Sequence, residues 1–163
     1  KQAAGIKFFN VFGPNEYHKG DMSSVVYKAF HQIRETGRVR LFKSHRPGYG
    51  DGEQRRDFVY VKDCVDVMWW LMQNRDKNGI FNVGTGQSRT WNDLISAVFG
   101  AMGMEPQIDY IPMLENLQAQ YQYFTEAKMD KLRNEGCPVS FNSLEKNVRD
   151  YVENYLCAQE AHL

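Results

Sequence analysis

The stretch Arg55-Arg56-Asp57-Phe58-Val59-Tyr60-Val61-Lys62-Asp63 places two guanidinium groups and a carboxylate directly before a run of β-forming residues. The run ends at Asp63, which we expect to cap a following helix. Polar side chains at the end of a strand are typical of ligand sites, because the strand fixes the backbone while its end faces solvent. The planar fork of arginine suits phosphate, although an isolated pair such as Arg55-Arg56 is more often a solvated surface feature.

On the N-terminal side of this stretch, a strand, a helix and a second strand are predicted. Residues 6–12 read as one buried strand that ends at Gly13-Pro14. Apolar residues at helical spacing from Met22 to Ile33 predict an amphipathic helix ended by Gly37. Residues 39–42 form a short strand, and the polar, glycine-rich segment 44–54 is expected to be a mobile loop.

On the C-terminal side, strands and helices continue to alternate, which predicts an α/β fold. The helix expected from about residue 63 to residue 74 has an apolar stripe of four side chains: Val65, Met68, Trp69 and Met72. Thr90 and Asp93 resemble a capping box that begins a helix ended by Gly103, and Thr125 can cap a short helix to about residue 135. Strands are expected at 80–83 and 108–111, and a last helix at 144–155.

The composition argues against several classes of protein. Acidic and basic residues balance at 20 each, which gives no electrostatic case for nucleic acid or an anionic membrane as partner. Cys64, Cys137 and Cys157 lack metal-ligand spacing and the histidines are scattered, so we expect free thiols, a reducing compartment and no metal site. Residues 1–5 are neither a signal peptide nor a start, and we expect a piece of a longer protein.

Four further features have competing interpretations when each is taken alone. Asn10 in an apolar strand is either a hydrogen-bonded structural residue or a ligand contact. Lys19 alone would be a surface lysine. The turn Gly84-Thr85-Gly86 lacks the third glycine of a dinucleotide site and is better interpreted as a tight turn after a strand. Tyr121 and Tyr123 could belong to the core or to a stacking surface.

Taken together, four segments resemble the second half of an extended short-chain dehydrogenase/reductase, the family that includes the sugar-nucleotide epimerases. They are residues 8–14, 18–20, 56–61 and 81–86. Two more segments, 16–20 and 121–125, are similar to the branch of the family that acts on ADP-heptoses. The resemblance implies that residues 1–163 are the C-terminal substrate-binding part of a Rossmann-type enzyme, including the last strands of its sheet. The N-terminal half, with its Gly-rich turn and Tyr-x-x-x-Lys pair, would be missing.

The resemblance also implies roles for matching residues. Asn10 would contact substrate, Val11 would lie near the nicotinamide cofactor, and Lys19 would be a proton acceptor that also reaches the cofactor. The sugar-nucleotide pocket would be lined by eight residues: Asp21, Lys28, Phe42, Lys43, Ser44, His45, Arg56 and Tyr121. Asp21 and Lys28 stand where serine and histidine are usual, and the loop 44–54 is longer than in short-looped members.

The activity implied is epimerisation of an ADP-sugar through transient oxidation by NADP, in a protein that is a homo-oligomer when full-length. The resemblance places such an enzyme in the cytoplasm of a Gram-negative bacterium, in lipopolysaccharide biosynthesis, and implies that this chain alone is inactive. Two alternatives remain open at this stage. One is another UDP- or GDP-sugar epimerase or dehydratase, and the other is a non-catalytic sugar-nucleotide-binding module.

Overall fold

The computed structural model describes residues 1–158 as an alternation of strands and helices. The strands are β1 (Ala4–Phe8), β2 (Asn10–Phe12), β3 (Val39–Phe42), β4 (Arg55–Arg56), β5 (Phe58–Tyr60), β6 (Gly79–Val83), β7 (Arg89–Thr90) and β8 (Ile108–Ile111). The helices are α1 (Val25–Thr36), α2 (Val61–Gln73), α3 (Trp91–Ala101), α4 (Glu115–Gln118), α5 (Asp130–Asn134) and α6 (Leu144–Tyr151). A 3₁₀ helix covers Tyr17–Met22, and a π-helical turn, Val152–Leu156, continues α6.

The strands form four pairs, three of which are parallel. β1 pairs with β6, β2 with β5, and β3 with β8, while β4 and β7 are antiparallel. Parallel neighbours need crossover connections, which here contain helices. This confirms the α/β arrangement expected from the sequence.

Two hydrophobic clusters hold these layers together. In the first, Phe30 of α1, Val98 of α3 and Tyr151 of α6 pack with strands β3 and β5 and are at most 1% exposed. In the second, Val67 of α2 and Phe81 of β6 pack against α5 and the segment before it. The strand pairs are therefore covered by helices.

Short-range signals placed several element ends correctly. Helix α1 ends at Gly37, whose φ of 71° is in the left-handed region that glycine adopts without steric cost. The Thr90 hydroxyl accepts from the Asp93 N–H, and the Asp93 carboxylate accepts from the Thr90 N–H. The predicted capping box is therefore confirmed at the start of α3.

Helix α2 differs from the prediction at both its start and its face. It begins at Val61, and Asp63 caps nothing; its carboxylate is buried and accepts from the Asn147 side chain at 2.9 Å. The predicted stripe Val65, Met68, Trp69 and Met72 is 43–62% exposed. The buried apolar residues of α2 are instead Cys64, Val67 and Leu71. This helix is apolar on most of its surface, and only its packing against β5 and β6 selects the buried side.

The first strand also differs from the prediction. It breaks at Phe9 into β1 and β2, which pair with different partners, and Phe8 is 41% exposed. In the described part of the chain β1 pairs only with β6, so its other edge is open and its side chains are less covered than a central strand requires. Met22 does not belong to the face of α1, since it ends the 3₁₀ helix and is 85% exposed.

The third difference concerns Thr125, which does not cap a helix. Its N–H donates to the carbonyl oxygen of Arg55, and Phe124 forms a β-bridge with Arg55, so this segment runs extended along β4. Helix α5 begins only at Asp130. A short helix, α4, also lies inside the segment that the sequence showed only as polar and aromatic.

The three cysteines are free, as predicted. Within residues 1–158, no cluster of His, Cys, Asp or Glu side chains has the geometry of a metal site. The same residues contain no helix with the length and apolar character needed to cross a membrane.

Candidate functional site

A cavity of about 380 Å³ lies between α1 and β3, and we call it the apolar cavity. Its walls are mostly hydrocarbon and aromatic surface, with cationic and amide groups at the edge. The wall residues that matter below are Lys28, Gln32, Arg40, Phe42, Trp91 and Tyr121. Phe42 and Tyr121 meet edge to face with ring centroids 6.4 Å apart, so the cavity has an aromatic end.

A second cavity, of about 420 Å³, opens directly after the carboxyl end of β1, and we call it the lysine cavity. Asn10, Val11 and Lys19 contribute to its wall. Val25 and Trp91 line both cavities, so the two spaces are neighbours on either side of these side chains. Ligands of open α/β sheets bind at the carboxyl ends of parallel strands, which is where the lysine cavity lies.

Arg56 is a buried cation that packs on Tyr121 and Trp91 at the aromatic end of the apolar cavity but lines neither cavity itself. It is 7% exposed, and its guanidinium carbon lies 5.3 Å from the ring centroid of Tyr121 and 5.8 Å from that of Trp91. Two of its five N–H groups donate to the carbonyl oxygens of Arg55 and Gln122. Burial lowers the pKa of the Arg56 guanidinium. No carboxylate lies within ion-pair distance in the described residues, so the charge is stabilised only by carbonyl dipoles and ring faces.

The neighbouring carboxylate, Asp57, does not compensate Arg56 because its oxygens are occupied elsewhere. Oδ1 accepts from the N–H and hydroxyl of Thr85, both at 2.7 Å. Oδ2 accepts from the N–H groups of Gly86 at 2.9 Å and Ala127 at 3.0 Å. A Cβ at Gly84 would lie 2.6 Å from Oδ2, so only glycine allows the turn to approach this closely.

The hydrogen bonds that Asp57 accepts decide whether the turn 84–86 has N–H groups available for a dinucleotide. The N–H groups of Thr85 and Gly86 that a pyrophosphate would need are bonded to Asp57. The geometry supports the expectation of a tight turn, although the short strand β7 intervenes before helix α3 begins.

Arg55, next in sequence to Arg56, has a different environment. Its side chain is exposed and its guanidinium donates to the carbonyl oxygen of Ser88 at 2.6 Å and to the Ser88 hydroxyl at 3.3 Å. The pair Arg55-Arg56 therefore contains one solvated, locally bonded cation and one buried cation, where the sequence alone favoured two solvated ones.

Lys19 lies in the 3₁₀ helix with its side chain exposed on the wall of the lysine cavity. Among residues 1–158 its ammonium forms no ion pair or hydrogen bond, which leaves it available to a ligand. Asn10 is exposed on the same wall, and its amide has no partner among those residues. The interpretation of Asn10 as a buried, hydrogen-bonded structural residue is therefore wrong. Val11 is half-buried beside it.

Asp21 and Lys28 interact with each other through the main chain. The Lys28 ammonium donates to the carbonyl oxygen of Asp21 at 2.5 Å, and both side chains are exposed. Lys28 lines the apolar cavity, whereas Asp21 lines neither cavity. The carboxylate of Asp21 thus lies outside the space where an anionic ligand would be held.

Of the segment 42–45, only Phe42 lines the apolar cavity. The Lys43 N–H donates to the carbonyl oxygen of Ile111, which continues the pairing of β3 with β8. The His45 N–H and ring Nδ1 are both 2.9 Å from the buried Tyr123 hydroxyl, and the Ser44 hydroxyl is 3.4 Å from it. Lys43, Ser44 and His45 therefore lie outside both walls, and Tyr123 belongs to the interior.

The loop 44–54 has no regular structure but does have contacts. The Ser44 N–H donates to the Asp51 carboxylate at 2.8 Å, and the Asn92 amide donates to the Asp51 carbonyl and to the Glu53 carboxylate. Mobility of this loop remains a prediction.

Sequence reasoning missed Trp91 as a site residue. Its spacing with Leu94 and Val98 marked it as part of the buried face of α3, and its ring does pack on Phe58 at 5.0 Å. Because it is the first residue of α3, the same ring also reaches Arg56 and the walls of both cavities. Its position at a helix start after a short strand was the only signal available.

The sequence profile of the NAD dependent epimerase/dehydratase family matches residues 2–84. This chain belongs to that family. A Nitratidesulfovibrio vulgaris protein named ADP-L-glycero-D-manno-heptose-6-epimerase is 62% identical over 160 residues, which are 98% of this chain and 50% of that protein. A Fusobacterium nucleatum protein of the same name is 50% identical, over 100% of this chain and 51% of its own length.

Solved structures of family members share the fold. The Helicobacter pylori ADP-L-glycero-D-manno-heptose-6-epimerase aligns with a TM-score of 0.78 at 27% identity, over 94% of this chain and 44% of that chain. A Thermus thermophilus UDP-glucose 4-epimerase solved with NAD aligns with a TM-score of 0.73 at 24% identity, over 95% of this chain and 47% of that chain. These alignments confirm the Rossmann-like, extended short-chain dehydrogenase/reductase fold. The chain spans about half the length of the curated relatives it matches.

Proposed function

We propose that the protein to which this chain belongs is an ADP-heptose 6-epimerase. It would interconvert ADP-D-glycero-D-manno-heptose and ADP-L-glycero-D-manno-heptose by transient oxidation at C6. Relatives that carry this activity in their names support the substrate class. The observation in the structure that supports it most directly is the buried Arg56 cation, which has no carboxylate partner among residues 1–158.

Arg56 is proposed to bind the diphosphate of the substrate. A buried charge without a counter-charge is costly, and a diphosphate at its three remaining N–H groups would supply that counter-charge through charge-assisted hydrogen bonds. The rings of Tyr121 and Trp91 hold the guanidinium in place and keep water from its faces. Burial raises the pKa of the Tyr121 phenol, opposed by the adjacent Arg56 cation and by Trp91, so this ring stays neutral.

The apolar cavity is proposed to hold the nucleoside of the substrate. Phe42 and Tyr121 offer ring surface for a base, and the Lys28 ammonium lies at the same wall. Asp21, Lys43, Ser44 and His45 were expected to contact the substrate too. Since these four residues lie outside the cavity walls, their proposed contacts would require movement of the segments that carry them. Arg56 lines neither cavity either, and its contact with a diphosphate would require a shift of the Tyr121 and Trp91 rings that lie between it and the apolar cavity.

The lysine cavity is proposed to hold the reacting sugar and the nicotinamide end of a dinucleotide. The chemistry of the wall fits this use, because the Lys19 ammonium, which has no partner in the described part of the chain, and the exposed Asn10 amide lie at the carboxyl end of β1. A bound nicotinamide cofactor, proposed to be NADP, would supply the hydride acceptor and donor. Asn10 is proposed to orient the sugar and Val11 to contact the cofactor. Lys19 is proposed to take the proton of the substrate hydroxyl as its neutral amine, which becomes the ammonium, and to return that proton when hydride is delivered back.

Binding by the complete protein tests the role of Arg56. In calorimetric titration with ADP-heptose, Arg56→Ala should raise the Kd about tenfold or more, because hydrogen bonds to charged groups contribute about 1.5–3 kcal/mol. Arg55→Ala is the matched control and should change the Kd less than about threefold. Equal affinities of wild type and Arg56→Ala would overturn the diphosphate assignment, and tighter binding of UDP- or GDP-sugars would overturn the ADP specificity.

Turnover by the complete protein tests the role of Lys19. Removing a positioned general base costs about 10²–10⁴ in rate, so Lys19→Met should lose turnover by that factor while its folding and its affinity for ADP-heptose stay near wild type. Lys128→Met, at an exposed lysine away from both cavities, should turn over normally. Wild-type turnover by Lys19→Met at saturating substrate would show that Lys19 is an ordinary surface residue.

The proposed enzyme would work in the cytoplasm and contribute to lipopolysaccharide biosynthesis, as the resemblance implies. The homo-oligomeric state of the complete protein is likewise a proposal. Size-exclusion chromatography with light scattering on the complete protein measures that state directly, and a monomer would contradict it.

A further inference from the structure

Glu16 is a buried carboxylate that the proposed binding and proton transfer do not use. It directly precedes the 3₁₀ helix that carries Lys19 and is 5% exposed. Both of its carboxylate oxygens are hydrogen-bonded, and every partner lies on a helix of the first hydrophobic cluster or at its cap. Through these contacts Glu16 can hold the loop that follows it in place.

The first contacts close the loop 16–24, which we call the Lys19 loop. Glu16 Oε2 accepts from the Ser24 N–H at 2.5 Å, and Oε1 accepts from the Ser24 hydroxyl at 2.7 Å, across eight residues of chain. Ser24 is the N-cap of α1, and a negative charge at a helix N-terminus is favourable. The two ends of the Lys19 loop are therefore joined at the start of a buried helix.

The second contact ties the same carboxylate to α6. The hydroxyl of Tyr151, which is 0% exposed, donates to Glu16 Oε1 at 2.9 Å. Burial and the neighbouring Glu16 charge raise the pKa of the Tyr151 phenol, so Tyr151 remains a protonated donor. Glu16 thus connects the base of the loop to two helices of the first hydrophobic cluster.

Lys19 depends on this connection because its own side chain has no anchor in the described residues. Its N–H donates to the Glu16 carbonyl oxygen at 3.0 Å, and the next residue, Gly20, has a φ of 51° that turns the chain back toward Ser23. The backbone of the loop therefore sets where the Lys19 side chain begins, and that loop is held by Glu16 at its two ends and by the Lys28 ammonium at Asp21.

We propose that Glu16 is a positioning residue for Lys19, which it holds toward the lysine cavity by closing the Lys19 loop against α1 and α6. This inference rests on the proposed function of Lys19 for its catalytic consequence. A misplacement of a reacting group by about 1 Å can cost about 10² in rate without changing ligand affinity. Glu16 should therefore act on turnover through Lys19.

Kinetics of the complete protein test the proposal with a matched set of variants. Glu16→Gln keeps the size of the side chain but loses its charge, and it should lower kcat by about 10–100-fold with KM within about twofold. Tyr151→Phe removes one of the bonds and should lower kcat by about 3–10-fold. Tyr60→Phe removes the same kind of bond from a buried tyrosine, to Asp150 on α6 at 2.7 Å, and should leave kcat within about twofold because it does not touch the loop.

A double mutant separates positioning from a general loss of stability. If Glu16 acts through Lys19, Glu16→Gln in a Lys19→Met background should lower turnover no further than Lys19→Met alone. A purely structural role predicts that the two losses multiply, and that result would overturn the proposal. Wild-type kcat in Glu16→Gln would overturn it too.

Hydrogen exchange on this chain gives a readout that does not depend on activity. Glu16→Gln should speed exchange of the amides of residues 17–23 by about tenfold or more and leave the protected amides of α3 unchanged. Unchanged exchange at 17–23 overturns the anchoring. A wild-type protein without epimerase activity overturns the proposed function and the catalytic consequence, and the exchange experiment then decides the anchoring by itself.

Discussion

Two adjacent residues, Arg56 and Asp57, are both buried and charged, but their surroundings differ. Asp57 is 0% exposed and its carboxylate accepts four hydrogen bonds from the turn 84–86 and from Ala127. Arg56 is 7% exposed and has two carbonyl oxygens and two aromatic rings as neighbours, with no counter-charge in residues 1–158. Within the described residues, the charge of Asp57 is compensated and the charge of Arg56 is not.

The difference separates a residue that stabilises the fold from a residue that can bind a ligand. The network of Asp57 joins three segments that are distant in sequence, and it leaves no capacity for an additional partner. The environment of Arg56 keeps a cation away from water beside a cavity, where an anion would be bound strongly. Burial of a charge alone does not distinguish these cases; the count of its partners does.

The largest effect is expected from removing the compensated charge. Asp57→Ala leaves the N–H groups of Thr85, Gly86 and Ala127 without an acceptor, and each buried unsatisfied donor costs about 1–3 kcal/mol. The free energy of unfolding, measured in urea, should fall by about 3 kcal/mol or more. The control Asp66→Ala, on the exposed side of α2, should stay within about 0.5 kcal/mol of wild type. A loss at Asp57 as small as at Asp66 would show that its network is not structural.

A smaller effect is expected from crowding the same network. Gly84→Ala puts a methyl group 2.6 Å from Asp57 Oδ2 and 2.7 Å from Ala127 Cβ. It should destabilise the chain by about 1–3 kcal/mol in the same urea experiment. Gly100→Ala in helix α3 meets nothing within 4 Å and should stabilise by about 0.5–1 kcal/mol. If both substitutions change the free energy of unfolding in the same direction, the turn does not pack tightly against Asp57.

Removing the uncompensated charge should change stability less than either substitution at the Asp57 network. Arg56→Ala loses two hydrogen bonds and the contacts with Trp91 and Tyr121, but it also removes the cost of a buried charge. The free energy of unfolding should therefore stay within about 1 kcal/mol of wild type. A loss comparable to that of Asp57→Ala would end the distinction between the two residues, since Arg56 would then also be a structural charge.

No effect is expected when NADP is added to this chain alone. The N–H groups of the turn 84–86 are taken by Asp57, so the turn offers no pyrophosphate site. At about 1 mM NADP the Tm of this chain should shift by less than about 1 °C, whereas binding at 100 times Kd would add about 2.7 kcal/mol. A shift of several degrees would show that this chain binds a dinucleotide by itself.

Features that depend on neighbouring residues in sequence were predicted well. The end of α1 at Gly37, the capping box of Thr90 and Asp93, and strands β3 and β8 all follow from short-range sterics and hydrogen bonding. The motifs that resemble the family were also read correctly, as the match to residues 2–84 confirms. The roles of the individual site residues stay predictions.

Features that depend on distant residues were predicted poorly. Asp63 looked like a helix cap, but Asn147 on α6 buries and binds it. Thr125 looked like a cap as well, but pairing with Arg55 keeps its segment extended. In each case the residue with a plausible local role is bonded to a partner more than 60 residues away, Asp63 through its carboxylate and Thr125 through its backbone N–H.

The sequence by itself determined the alternation of strands and helices, the family and the identity of the charged residues near the predicted site. Only the tertiary structure decided which face of α2 is buried, which arginine of the pair is enclosed, and that Trp91 lies between two cavities. The physical reason is the distance along the sequence over which each kind of interaction acts. Backbone propensity and capping act over a few residues, whereas burial and charge compensation depend on which distant segments pack together.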